Sequence, residues 1–228
     1  DSDVILPKQY LSEVSKQLET NYTDAFGGPD TAHPKFTILQ KAINYSMTSY
    51  LTTGGLRGHK NSTGKFQPRS FNMGISREAF EITQGFSKMR VGEDIDLSFR
   101  LWEFGFETQY IENATVYHKR RSTLKQFFNQ TYDFGNARPM LTKRYPSTAK
   151  LSYWFPSIFI LGLDLSILLV IFGYLTLFSC YYLYFLAVLI DASFRSGIRV
   201  GVLSIITTIT QFLGYGLGFL FSQFNIKN

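Results

Sequence analysis

The chain has 228 residues, 45% of them hydrophobic, with a formal charge of +6 and a pI near 9.3. Its single cysteine, Cys180, excludes a disulfide framework and a cysteine metal site within the chain. The basic excess is confined to residues 118–150, with 8 Lys/Arg against 1 Asp/Glu beside an apolar tail, a placement that suits an anionic membrane surface rather than a nucleic-acid groove.

The chain opens with DSDVILPKQYLSEVSKQLE: two aspartates two apart, an apolar run, Pro7, then a helical pattern of Tyr10, Leu11, Val14 and Leu18. Residues i and i+2 of an extended segment project to the same side, so Asp1 and Asp3 can share one cation or its diphosphate complex. Hard carboxylate oxygens of this kind suit Mg²⁺ or Mn²⁺. TDAFGGPD (23–30) reads as a strand running into a Gly-Pro turn, and residues 34–53 read as a helix. Residues 54–68, rich in Gly and carrying Arg57, His59 and Lys60, read as a loop. RSFNMGISREAFEI (69–82) alternates into a strand and then turns into a helix with Ser76 as its N-cap.

VGEDIDLSFRLWEFGF (91–106) concentrates Glu93, Asp94 and Asp96 at the start of an apolar helical pattern. A first helical turn attracts negative charge through its free N–H groups and the macrodipole. Asp96 faces Arg100 at i,i+4, the spacing of a structural pair, which leaves Glu93 and Asp94 as candidates for chemistry. Gly105 is placed to close the helix. ETQYIENATVYHKRR (107–121) supplies one or two strands ending at His118, so residues 1–117 mix strands and helices in α/β fashion.

Residues 122–150 form a basic amphipathic linker whose apolar side carries Leu124, Phe127, Phe128 and Tyr132. It either lies in a membrane interface or packs beneath the preceding domain. From Leu151 to Ile190 the only charge is Asp164, enough length for spans at 152–172 and 174–190. DASFRSGIR (191–199) interrupts, and residues 200–221 make a third span. Lys143, Arg144 and Lys150 precede the first span, and Arg195 and Arg199 separate the second from the third. That bias places residues 1–150 in the cytoplasm and the C-terminus on the far side of a cell membrane. Asp164 at mid-span is costly unless paired or wetted.

D-x-D at 1–3, FNMGISREAF at 71–80, GEDIDLSFRL at 92–101 and a histidine after a strand at 118 occur in an order that resembles the C-terminal half of family 2 glycosyltransferases of the GT-A fold, followed by a membrane anchor. The resemblance implies an α/β fold class: a partial GT-A (Rossmann-like) catalytic domain over 1–121, the linker 122–150, and an all-α transmembrane region of about three helices over 151–222. It further implies that Asp1 and Asp3 hold a divalent metal, Mg²⁺ or Mn²⁺, on the donor diphosphate and that His118 completes the metal site. Asp94 matches the general base, with Glu93 beside it, while Asn72 and the backbone of Met73 and Gly74 flank the sugar pocket.

The implied activity is inverting transfer of a sugar from a nucleotide-sugar donor to a saccharide or lipid-linked acceptor, as in polysaccharide biosynthesis. QTYDFGNARP (130–139) offers Gln130 and Arg138 but lacks the tryptophan of the Q-x-x-R-W motif that processive synthases carry, which favours a non-processive enzyme. Two other readings stand beside it: a metal-dependent phosphotransferase with Asp1 or Asp3 as nucleophile, and a non-catalytic membrane subunit. In the GT-A fold the D-x-D follows a nucleotide-binding half, and nothing precedes Asp1 here. The expectation is therefore a piece of a longer protein that by itself transfers no sugar.

Overall fold

The computed structural model describes residues 3–54 and 65–225; Asp1, Arg57, His59 and Lys60 lie outside the described residues. The chain begins with β1 (Val4–Ile5), α1 (Tyr10–Thr20), β2 (Ala25–Gly27) and β3 (Asp30–Thr31), then α2 (Ile38–Thr48) and α3 (Tyr50–Thr53). Next come β4 (Met73–Ile75), α4 (Arg77–Thr83), α5 (Glu93–Glu103), β5 (Thr108–Tyr110) and β6 (Val116–His118). The rest is helical: α6 (Leu124–Arg144), two short 3₁₀ turns, α7 (Phe155–Ile171), α8 (Thr176–Ser196) and α9 (Ile198–Asn225). Two compact units result, one of residues 1–36 and 53–119, the other of residues 37–52 and 120–228.

The first unit contains two small mixed sheets. In one, β6 lies between β1, antiparallel with Val4 opposite His118, and β3, parallel with Asp30 opposite Val116. In the other, β2 lies between antiparallel β4 and parallel β5. Tyr10 and Val14, one turn apart on α1, bury against Ile111, Ala114 and Val116. Leu97 and Leu101, one turn apart on α5, bury against Ala25 and Ala79. Gly28, in the turn between β2 and β3, has no room for a side chain, because a Cβ there would sit 2.2 Å from the Ala114 carbonyl oxygen.

The helix ends follow local rules. The Ser76 hydroxyl accepts the Ala79 N–H at 3.1 Å and starts α4. Gly105 takes φ +85° and lets the Phe106 N–H reach back to the Leu101 carbonyl, closing α5. The expected helix over 34–53 is shorter and broken. It starts after Thr37, whose side chain forms a capping box with Gln40, and ends where Ser49 turns extended at ψ 143°.

The second unit is all helix, and three of its helices, Leu151–Ile171, Thr176–Ser196 and Ile198–Asn225, are long and apolar enough to cross a membrane. The α6 helix occupies most of the expected linker and packs along α9 with almost no gap. A Cβ on Gly135 would lie 2.1 Å from the Tyr215 carbonyl oxygen, and one on Gly218 would lie 2.1 Å from that of Tyr132. Helix α2 also belongs here. Ile43 and Met47 pack on Phe127 of α6, Tyr45 packs on Val188 and Ala192 of α8, and the Ser46 hydroxyl lies 2.6 Å from that of Thr207 on α9.

The second apolar helix runs on to Ser196 instead of ending at 190, because its charges are compensated in helical geometry. Arg195 pairs with Asp191 at i,i+4 (2.9 Å), and the Tyr45 hydroxyl donates to Asp191 at 2.8 Å. Burial above all pushes that hydroxyl up to about 12, so it stays a donor. The break comes only at Gly197, with φ +91°.

Candidate active site

Strand β6 ends at His118, and its neighbours supply a carboxylate on each side. Asp3 precedes β1, and its carbonyl accepts the Lys119 N–H at 2.9 Å, which fixes it beside the histidine. Its Oδ2 lies 3.5 Å from His118 Nε2. On the other flank Asp30 sits opposite Val116, which shares a face of the strand with His118, and its Oδ2 lies 3.8 Å from His118 Nδ1. Phe71 stacks on the imidazole with centroids 4.0 Å apart and planes 20° apart.

Asp3 Oδ1 is buried and has no hydrogen-bond partner. A buried carboxylate oxygen left without a donor is costly, and a hard cation would satisfy it. The neighbouring imidazole nitrogen adds a second donor atom. Asp3 and His118 therefore fit a divalent cation, whereas Asp1 lies outside the described residues. Among the described residues no three His, Cys, Asp or Glu side chains gather into a ligand cluster.

The carboxylates of α5 reach the same neighbourhood through one turn. The Asn72 N–H donates to the Arg69 carbonyl at 2.8 Å, closing residues 69–72. From this turn Phe71 covers His118, and the Arg69 guanidinium reaches to 3.6 Å from Asp94 Oδ2. The Asp94 side chain is 14% exposed, and its Oδ1 accepts the N–H of Ile95 at 2.8 Å. Burial, reinforced by the Asp94 charge and opposed by Arg69, holds the Glu93 carboxyl above its usual range.

Asp96 is set apart from these two. It is fully buried, and Arg100 reaches its Oδ2 from both Nε and Nη2 at 3.0 Å. The same guanidinium donates to the carbonyls of Thr83 and, at 2.7 Å, Gly85, so the pair fastens α5 to the end of α4.

Asn72 anchors the 69–72 turn from within. It is 3% exposed; its Oδ1 accepts from the Tyr10 hydroxyl at 2.7 Å, and its Nδ2 donates to the carbonyls of Ala114 and Pro29. Both polar atoms of its side chain are engaged within the protein, so it pins the 69–72 turn to the strands behind it. Gly74 clears space for Phe26, whose ring would lie 2.1 Å from a Cβ at that position, and Met73 packs beside the core of Ala25, Ala79, Leu97 and Leu101.

The arrangement thus joins the pair Asp3 and His118 to an acidic helix start, Glu93 and Asp94, through the turn 69–72. Sequence reasoning missed Arg69, Phe71 and Asp30, since each acts on a residue far along the chain with no motif linking them. Compared with known families, residues 1–194 match the family described as Glycosyl transferase family group 2. No curated protein matches the chain.

Proposed function

Because the chain belongs to glycosyl transferase family group 2, we propose that it is a membrane-anchored, inverting, non-processive glycosyltransferase acting from a nucleotide-sugar donor on a saccharide or lipid-linked hydroxyl. The observation that carries this reading is the turn 69–72, which ties Asp94 through Arg69 and His118 through Phe71 to one short segment. Sugar transfer needs those two ends together. One must receive the acceptor's proton, and the other must face the leaving diphosphate.

In the proposed reaction the anomeric carbon's bond to the donor phosphate breaks as the acceptor oxygen attacks from the opposite face. The electron pair leaves with the nucleoside diphosphate, and the acceptor's proton passes to Asp94 as general base. Glu93 lines the same helix start, and its half-buried carboxyl suits contact with sugar hydroxyls. Asp3 and His118, with Asp1 as the third expected ligand, would hold a divalent cation, which would supply charge neutralisation for the leaving diphosphate. Arg69 orients Asp94, and Phe71 holds the imidazole plane.

Residues 1–150 then lie on the cytoplasmic side, where nucleotide sugars are found, with the three apolar helices as the anchor. The test is a screen of nucleotide sugars on membranes expressing the gene, scored by nucleoside diphosphate release with and without a chelator. Release that depends on an acceptor and on Mg²⁺ or Mn²⁺ is the expected result. Release of free phosphate without glycoside formation overturns it.

A further inference from the structure

We propose that a second copy of the chain covers the exposed face of α7, with the two Asp164 carboxyl groups bonded to each other between parallel spans. The inference rests on the reading of α7 as a membrane span and on nothing in the transfer chemistry. Helix α7 turns one side inward. Phe159 packs among Tyr181, Tyr184 and Phe185 of α8 and Phe212 of α9, and the Ser157 hydroxyl donates to the Gly216 carbonyl at 3.1 Å. Asp164 lies outside that packing. It is exposed, and among the described residues no hydrogen bond or ion pair engages its carboxyl.

An acid at this depth is costly unless it is paired or wetted. Asp164 precedes Ile171, the last residue of α7, by seven positions, about 10 Å at 1.5 Å rise per residue. An aspartate side chain is too short to span that distance, so water at the helix end does not serve it. The only cations among residues 151–225 are Arg195 and Arg199, at the joint between α8 and α9, and Arg195 already pairs with Asp191. Leu161, Ile167, Leu168 and Ile171, at one and two turns from Asp164, are all more than half exposed, so the face centred on it is open and otherwise apolar. A two-fold axis along the membrane normal sets each residue of such a face opposite its own copy, at the same depth. A carboxyl group that carries its proton both donates and accepts, so two of them satisfy each other with no second kind of protein. One polar group in an apolar helix seam also fixes the register of the pair.

The test uses membranes expressing the gene in a Cys180→Ser background. Leu161→Cys and Leu168→Cys, one turn to either side of Asp164, should each form a disulfide-linked homodimer on mild oxidation. Val202→Cys, exposed on α9, should not. Association of the cysteine-free protein is read by energy transfer between differently labelled copies in vesicles. Asp164→Asn keeps a donor and an acceptor and should associate like wild type. Asp164→Leu should weaken association by about 5–30-fold, the worth of one interhelical hydrogen bond. A wild type that stays monomeric overturns the inference alone. So does equal cross-linking from all three positions, a cross-link to a chain of different mass, or an Asp164→Leu protein of unchanged melting midpoint that associates like wild type. Reaction of Leu168→Cys with an impermeant maleimide in sealed vesicles overturns the span reading and the inference with it. None of these measurements reads sugar transfer, so a failure of the transferase reading leaves their outcome unchanged.

Discussion

Replacing Asp96 by Asn keeps the shape of the side chain and removes its charge from a position with no access to solvent. Arg100, 15% exposed, then loses its counter-ion but keeps the carbonyls of Thr83 and Gly85, and the new amide oxygen can still accept one bond. Breaking a buried ion pair costs about 3–5 kcal/mol, and the retained bonds place this case near the lower figure. At roughly 2–4 °C per kcal/mol for a chain of this size, the melting midpoint should fall by about 6–12 °C. Turnover per folded molecule, assayed well below both midpoints, should stay close to wild type. Asp94→Asn, two residues away, should do the reverse. Its partly exposed contact with Arg69 contributes about 0–1 kcal/mol to stability, while loss of a general base costs on the order of 10²–10⁴ in rate. Thermal unfolding in detergent and nucleoside diphosphate release, measured on both variants, separate the two roles. An Asp96→Asn protein as stable as wild type, or an Asp94→Asn protein retaining more than about half its turnover, refutes the division of labour.

Glu93 carries a pH signature of known sign. Its folded value is raised above the usual 4.5 chiefly by burial, so the folded state holds the proton more tightly and stability is lost as pH rises through 4.5 toward the raised value. Glu93→Gln should therefore melt above wild type at neutral pH and converge with it below 4.5, and coincident curves at every pH would count against a desolvated carboxyl. Alanine is normally better than glycine in a helix by about 1 kcal/mol, yet Gly135→Ala and Gly218→Ala should both lower the melting midpoint, because each Cβ meets backbone of the facing helix. A rise would show that α6 is free to step away from α9. For topology, Ser196→Cys in a Cys180→Ser background should react with an impermeant label from the side that holds residues 1–150; labelling from the opposite side alone would discard the three-span arrangement.

What could be read in advance was local. Ser76 and Gly105 act within one helical turn, Asp96 and Arg100 pair within one helix, and the apolar spans declare themselves by composition. What could not be read required partners far along the chain. The apolar face of α2 signals burial but does not name its cover, and that cover proved to be α6, α8 and α9 instead of a sheet. Asp191 and Arg195 look like a loop as a list of charges, yet four-residue spacing lets them pair on a continuing helix. Asn72 belongs to a recognisable motif, but only the fold shows Tyr10, Pro29 and Ala114 consuming its hydrogen bonds. Asp30 reaches His118 through a parallel strand pairing, which no short-range pattern encodes.

Helix α2 also imposes an order of events on biosynthesis. Ser46 and its partner Thr207 are 161 residues apart, so at roughly 5–20 residues per second the ribosome needs roughly 8–32 s to produce the second after the first. Throughout that interval Ala42, Ile43 and Met47, all buried in the finished protein, lack the part of their cover that α9 supplies, and until α6 is made Ile43 and Met47 lack Phe127 as well. Chaperones and the insertion machinery must shelter this segment until the last helix emerges. A chain shortened at residue 121 to obtain a soluble enzyme would leave it bare permanently. Polar replacements at Ala42, Ile43 and Met47 are the first substitutions such a shortened enzyme would need in order to stay in solution.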